Sequence, residues 1–352
     1  MDLASLETPF LTIDLDAVER NVERAQRYCD GHGLRFRPHV KTHKLPRIAH
    51  LQVAAGAVGI TCQKISEAEV MVDAGLDDIL LTYPVIGEQK TRRLARLAER
   101  CTLAVAADSS VAALHVAEAG QASGRTIGFL VECDTGGGRL GVQTPEAAAE
   151  LAAEVASLPG LAFRGFMTYP TTAGTRAFME EAAELLAQRG LRAEVVSGGG
   201  TPALYRSHEL GGVTEVRAGE YVLGDRSGLA LGVVGTDDLA ARVLATVVGR
   251  PTADRAILDA GSKTMSYDHA DAPGVEGYGL LLEHPEAVIR EFSEEHAHVD
   301  LRACASRPRI GDRVTIVPNH VCPCVNLHDE VALHRGGQVE EIARVAARGT
   351  IR

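Results

Sequence analysis

The sequence predicts an α/β fold: a (β/α)8 TIM barrel with a C-terminal all-β domain. Three observations predict it. Eight short apolar runs recur between residues 34 and 216, each followed by a loop and a helical stretch, the pattern of a parallel sheet closed on itself. After about Leu231 the helical periodicity gives way to strands separated by turn signals. Polar residues also gather just beyond the carboxyl ends of the first eight runs, where barrel enzymes keep their chemistry.

Taken in order, Phe10–Asp14 reads as a strand, and Leu15–Cys29 as a helix capped by Asp14 or Asp16. The barrel strands are expected near Leu34–Phe36, Ala57–Ile60, Ile79–Leu81, Leu103–Ala106, Ile127–Val131, Phe163–Met167, Glu194–Val196 and Thr214–Val216. Helices are expected at Leu45–Ala55, Ser66–Ala74, Gly87–Glu99, Ser110–Ala122, Pro145–Leu158 and Arg176–Arg189. Further strands follow at Leu239–Arg250, Ala256–Leu258, Ala287–Ile289, Val299–Leu301, Val314–Val317, Glu330–His334 and Glu340–Ala347. Turns such as Asp271-Ala272-Pro273-Gly274 and Arg335-Gly336-Gly337 separate them. The expected division is a barrel over 15–232 and a β domain formed by 1–14 and 233–352.

With 352 residues the chain has room for one large domain and a smaller one. A net charge of −11, with no basic stripe, argues against nucleic acid as a partner. The seven cysteines show no framework spacing and fit reduced thiols. Met1-Asp2 opens without a secretion signal, and no apolar run approaches the roughly 18 residues of a membrane span. The expectation is a soluble, cytoplasmic protein that binds neither nucleic acid nor membrane.

The segment Arg37-Pro38-His39-Val40-Lys41-Thr42-His43-Lys44 follows the first barrel strand. A lysine between two histidines just past a strand is placed to act as a nucleophilic amine and to form a Schiff base with a carbonyl cofactor. A basic loop that faces water is the plainer reading. In Ser197-Gly198-Gly199-Gly200-Thr201-Pro202, three glycines let backbone N–H groups approach an anion, and hydroxyls at both ends add donors. Phosphate often binds after strands seven and eight of such barrels; a tight turn is the alternative. In Thr135-Gly136-Gly137-Gly138-Arg139-Leu140-Gly141, Arg139 is able to reach a phenolate or carboxylate with a forked pair of hydrogen bonds, or to stand in solvent. Glu132, Asp134, Tyr169, Arg217, Glu220 and Tyr221 complete the rim. In the β domain, His320-Val321-Cys322-Pro323-Cys324 reads as strand, which would turn His320 and Cys322 to one face. Imidazole and thiolate together suit zinc, against the plainer reading of inert buried cysteines. Cys324 joins them only if Pro323 does not bend the chain. His296 is a further candidate ligand or acid-base group, or part of a solvated turn.

These motifs, with Asp259-Ala260-Gly261-Ser262-Lys263 and Pro318-Asn319-His320-Val321-Cys322-Pro323, resemble the D-serine dehydratase and D-threonine aldolase group of fold-type III pyridoxal-phosphate enzymes, the alanine-racemase-like barrels. The resemblance runs from about Thr8 to Gly349. It implies a homodimer whose active site lies near the subunit interface. It implies that Lys41 carries pyridoxal 5′-phosphate as a Schiff base, and that Ser197, Gly199, Gly200 and Thr201 hold the phosphate. Arg139 would lie beside the ring oxygen, with His39, Tyr169 and Tyr221 lining the cofactor. His320 and Cys322 match a divalent-metal position for zinc, manganese or magnesium. The implied substrate is a D-β-hydroxy-α-amino acid, which such a site either dehydrates to a keto acid and ammonia or cleaves to glycine and an aldehyde. His-x-Cys at the metal, and the lack of a histidine in Pro170-Thr171-Thr172-Ala173-Gly174, favour dehydration. The same segment departs from typical dehydratases and leaves substrate size open. A racemase would need a second base opposite Lys41, and none is identified. A silent cofactor carrier would lack the β domain.

Overall fold

The computed structural model describes residues 1–352, which divide into two compact units. One comprises residues 24–41, 46–219 and 350–352. Its parallel strands are β2 (Arg35–Phe36), β3 (Ile60–Cys62), β4 (Asp78–Leu81), β5 (Thr102–Ala107), β6 (Ile127–Cys133), β7 (Leu161–Thr168), β8 (Val195–Gly199) and β9 (Glu215–Arg217). They lie in the order β2-β9-β8-β7-β6-β5-β4-β3. A parallel bridge between His39 and Thr61 joins the two ends, with Val40 N–H donating to Thr61 O at 3.0 Å and Thr61 N–H to Pro38 O at 2.8 Å. The ring is thereby closed. Most of its strand residues are buried, because the interior and the helical layer both exclude water. Phe129, Val131, Phe166 and Ile60 are fully buried.

Helices α2 (Pro46–Ala54), α3 (Ile65–Asp73), α4 (Glu88–Ala98), α5 (Ser110–Ser123), α6 (Pro145–Ser157) and α7 (Thr175–Ala187) connect the strands. The Ser109 and Thr144 hydroxyls cap α5 and α6 by accepting from Ala112 N–H and Ala147 N–H. The expectation of a helix after every barrel strand fails for the last two. After β8 come a 3₁₀ stretch, Thr201–Arg206, and a single turn, Ser207–Leu210. After β9 comes the 3₁₀ turn Glu220–Val222. Glycines at positive φ stop both: Gly211 and Gly212 the first, Gly224 the second.

The other unit comprises residues 1–23, 42–45 and 220–349. Its strands are β1 (Phe10–Asp14), β10 (Ala241–Thr252), β11 (Arg255–Leu258), β12 (Leu280–Leu281), β13 (Val288–Phe292), β14 (Ala297–Asp300), β15 (Arg313–Val317), β16 (Glu330–Arg335) and β17 (Gln338–Arg344). The main path is β13-β14-β11-β10-β1-β16-β17, with β15 pairing both β10 and β12. β1 is antiparallel to β10 and parallel to β16. β12 is a short strand that the sequence pattern does not disclose. The 17-residue helix α1 (Leu15–Gly31) starts where the Asp14 carboxylate accepts from Asp16 N–H at 2.9 Å.

One expectation is overturned here. Val321–Leu327 is a helix, not a strand, with His320 at its N-cap. Pro323 falls at the third helical position, where an absent N–H costs no intrahelical bond. No helix of the chain is long and apolar enough to cross a membrane.

Candidate active site

Lys41 lies two residues past the His39 bridge, half-buried at the carboxyl side of β2. His39 is buried and its ring is held from two sides. Nε2 lies 3.1 Å from Gln63 Oε1, and Nδ1 lies 3.4 Å from the Lys41 backbone N–H. Gln63 Oε1 accepts only, so Nε2 carries the proton and Nδ1 accepts from Lys41. His39 thus shapes the turn that presents Lys41.

The glycine loop after β8 is tighter than composition suggests. Gly199 N–H donates to Thr171 Oγ1 at 2.8 Å, and Gly200 N–H to Arg217 O at 2.9 Å. Neither amide is spare. Ser197 is also committed: its hydroxyl donates to Glu215 Oε1 at 2.6 Å and accepts from Arg217 Nη1 at 2.8 Å. Its side chain stands inside the barrel, in a buried charged network, and not at the loop's open edge. What the loop leaves free is Thr201 Oγ1, which is buried without any hydrogen-bond partner. Gly200 holds φ +115°, and a Cβ there would stand 3.4 Å from the Tyr169 ring. A buried unpaired hydroxyl beside a glycine cradle fits a phosphate, whose oxygens would supply the missing partner.

The loop after β6 is built differently. Asp134 accepts from Gly136, Gly137 and Gly138 N–H, at 2.9, 2.7 and 3.1 Å. These amides hold its carboxylate below its usual pKa. Arg139 extends from the loop half-exposed, 4.9 Å above the centre of the Tyr169 ring. Its Nη2 is 3.9 Å from Glu132 Oε1. Glu132 is 1% exposed, and its Oε2 has no hydrogen-bond partner. Burial pushes its pKa up to about 7, against the pull of Arg139 and Arg217. Burial pushes Arg217 down to about 10, opposed by Glu215 and Glu132.

In the β-rich unit, His320, Cys322 and Glu220 present one imidazole nitrogen, one sulfur and one carboxylate oxygen within 4.8 Å of one another. His320 Nε2 is 3.2 Å from Glu220 Oε1, and Cys322 Sγ is 3.8 Å from the same oxygen. On the other side of the ring, Nδ1 is 3.0 Å from Asp268 Oδ2. Thr42 Oγ1 lies 3.2 Å from Cys322 Sγ. Burial disfavours charge on His320, but Cys322 and Glu220 outweigh it and carry the pKa up to about 11. The donor set fits a divalent cation, but its geometry is that of a helix start, not of strand alternation. Cys324 takes no part: it is buried, with Sγ 3.3 Å from Thr264 O. His296 is exposed in the turn before β14. Tyr221 is fully buried in the 3₁₀ turn beside Glu220. Sequence reasoning had Glu220 and Glu132 on the rim without assigning either a role. It missed Asp268 and Thr42, since no spacing connects residues 42, 220, 268 and 320.

The alanine racemase N-terminal domain matches residues 13–227, and a putative serine dehydratase domain matches 240–334. The chain is similar to D-threonine aldolase of Arthrobacter sp., 35% identical over 99% of this chain and 94% of that protein. It is 37% identical to D-threo-3-hydroxyaspartate dehydratase of Delftia sp., over 91% of this chain and 92% of that one. The crystal structure of D-threonine aldolase from Filomicrobium marinum superimposes with a TM-score of 0.88 at 35% identity, covering 100% of this chain and 98% of that chain. An alanine racemase of Clostridium difficile, at 14% identity and a TM-score of 0.72, shares the fold. The chain belongs to the fold-type III pyridoxal-phosphate family, in the group of D-threonine aldolase and D-3-hydroxyaspartate aldolase and dehydratase. Its cofactors are pyridoxal 5′-phosphate and a divalent metal.

Proposed function

We propose that this protein is a pyridoxal-phosphate- and metal-dependent lyase of D-β-hydroxy-α-amino acids, an ammonia-lyase of the D-serine dehydratase type that yields a keto acid and ammonia. The observation that carries dehydration is the His320-x-Cys322 pair gathered at one helix start. Histidine-to-alanine and cysteine-to-alanine mutants of D-threo-3-hydroxyaspartate dehydratase lie two positions apart, and the cysteine mutant is described in the metal-free form. That spacing is the spacing here. Cleavage to glycine and an aldehyde is the second reading, favoured by the 35% identity to D-threonine aldolase across 99% of the chain.

Lys41 Nζ is the amine that anchors the cofactor and the base that takes the proton from the substrate Cα. His39 fixes the turn that aims it. Thr201 Oγ1 would donate to the phosphate, with Gly200 giving the approach. Arg139, steadied on the Tyr169 ring, would supply a guanidinium to the cofactor's ring oxygen. Ser197, Gly199 and Arg217 hold the floor of that loop in place. Tyr221, fully buried, follows Glu220 in the same 3₁₀ turn. His320 and Cys322 would hold the metal. When bound, the cofactor supplies an electron sink for charge at Cα, and the metal a Lewis acid at the β-oxygen. Dehydration needs the Cα proton removed, the task given to Lys41. Retro-aldol cleavage needs a base at the β-hydroxyl, and the segment Pro170-Thr171-Thr172-Ala173-Gly174 after Tyr169 carries no histidine to serve as one.

Incubation with D-serine, D-threonine and D-threo-3-hydroxyaspartate, followed by assay of ammonia and keto acid against glycine and aldehyde, decides between the two. Ammonia and keto acid are expected; glycine with aldehyde would make it an aldolase. Lys41→Ala is expected to abolish the near-visible absorbance of lysine-bound cofactor and to lower turnover by roughly 10³-fold or more. A band that survives the substitution removes Lys41 as the anchor.

A further inference from the structure

We propose that Glu220 is a third protein donor to the divalent ion held by His320 and Cys322, and that Asp268 is the positioning residue that aims the His320 imidazole at it. The proposal rests on the metal reading above and deepens it.

The distances carry it. Two donors each ~2.1 Å from a tetrahedral ion stand roughly 3.4 Å apart, a little more where one is sulfur. Glu220 Oε1 lies 3.2 Å from His320 Nε2 and 3.8 Å from Cys322 Sγ, on either side of that value. All three donor atoms lie within 4.8 Å of one another, close enough to share one ion. Three protein ligands would leave a position for a substrate oxygen, as in catalytic metal sites. One imidazole, one thiolate and one carboxylate also bring two negative charges to a doubly charged ion.

The ring orientation agrees. Nδ1 of His320 donates to Asp268 Oδ2 at 3.0 Å, which leaves the Nε2 lone pair turned toward Glu220 and Cys322. A carboxylate behind a ligating imidazole fixes its tautomer and raises its basicity. Thr42 Oγ1, 3.2 Å from Cys322 Sγ, is a hydrogen-bond donor for the thiolate.

The segments that bear these groups are laced together before any ion arrives. Arg226 N–H and Ser227 N–H donate to Pro318 O and Asn319 O, at 2.9 and 3.2 Å. Asp225, 2% exposed, accepts from Val321 N–H at 3.1 Å and from Gly228 N–H at 2.8 Å. Asn319 Nδ2 donates to Asp268 O at 3.0 Å and Gly277 O at 2.7 Å. Glu220 O accepts from Leu223 N–H and Gly224 N–H, which locks its own turn. The segments are thus held in place around the three donor atoms, as preorganised binding of an ion requires.

The test titrates the cofactor-loaded enzyme, stripped of metal, with Co²⁺ and follows both affinity and the visible and near-ultraviolet spectrum. Wild type is expected to show a thiolate-to-cobalt charge-transfer band. Glu220→Gln should keep that band, because Cys322 still binds, but weaken Co²⁺ by ~100-fold and alter the d–d bands as a carboxylate leaves the coordination sphere. Glu220→Asp should recover part of the affinity. Asp268→Asn should weaken Co²⁺ by ~10–100-fold with the d–d bands little changed, the signature of a positioning role. Wild-type affinity and unchanged d–d bands in Glu220→Gln would overturn the third-donor assignment. The metal reading fails separately, if His320→Ala and Cys322→Ala both bind Co²⁺ as wild type does. Retention of cofactor absorbance in each variant shows that the fold is intact.

Discussion

Two loops of the barrel have almost the same composition and opposite uses. Thr135-Gly136-Gly137-Gly138-Arg139 and Ser197-Gly198-Gly199-Gly200-Thr201 each set three glycines between a hydroxyl and a polar residue, at the ends of β6 and β8. In the first, the glycine amides converge on an anion, but the anion is the chain's own Asp134. The nest is filled from within. In the second, two of the glycine amides are tied to Thr171 and Arg217, and the unpaired group is the Thr201 hydroxyl. Glycine-rich composition marks a close approach of backbone to something; only the structure says whether that partner is internal or external.

Three substitutions sharpen the contrast. The largest effect is expected from Thr201→Val. A donor to a charged group contributes about 1.5–3 kcal/mol, so pyridoxal-phosphate affinity should fall by roughly 10–100-fold while unfolding of the cofactor-free protein is little changed. Unchanged affinity would mean the phosphate sits elsewhere. Next comes Glu132→Gln, behind the first loop. The carboxyl of Glu132 titrates near 7 when folded and near 4.5 when unfolded. Because the folded form binds the extra proton in that window, its contribution to stability is complete below about 4.5 and is lost as pH rises through about 7. Wild type should therefore lose Tm between pH 5 and 8 more steeply than Glu132→Gln, as thermal melts at matched ionic strength would show; parallel curves would place the proton elsewhere. The smallest effect is expected from Asp134→Ala. It should cost about 1 kcal/mol, the size of a lost helix cap, and speed hydrogen exchange at Gly136–Gly138 without weakening the cofactor. A loss of cofactor affinity equal to that of Thr201→Val would erase the distinction between the loops.

The barrel was legible because its signals are local and repeated: an apolar run, a loop, a helical stripe. The β-rich unit was legible as strands, except for the two-residue Leu280–Leu281. The Val321–Leu327 helix was hidden by its own composition. Val, Cys, Pro and Cys are weak helix formers, and tertiary bonds from Asp225 and the 318–319 backbone set the conformation instead. Lys41, His320 and Cys322 stood out because their residue types carry chemistry wherever they lie. Ser197 stood out by its neighbours rather than by its own chemistry. Its place beside three glycines suggested a phosphate donor, yet strand alternation turns it inward to Glu215 and Arg217. Glu220 and Asp268 acquire meaning only from folding that joins Glu220 to Cys322, 102 residues on, and Asp268 to His320, 52 residues on.

The strand β1 lies between two strands made much later. Leu11 and Ile13 are fully buried, and the partners of this strand are residues 241–244 and 332–334. At ~5–20 residues per second, roughly 10–50 s of synthesis separate β1 from its first partner. For that interval the nascent chain carries an apolar strand with two open edges while the residues of the barrel emerge and are able to close. Closure of the β-rich unit is therefore a late event in biosynthesis. His320 and Cys322, the proposed metal ligands, are made later still and emerge only after residues 241–244.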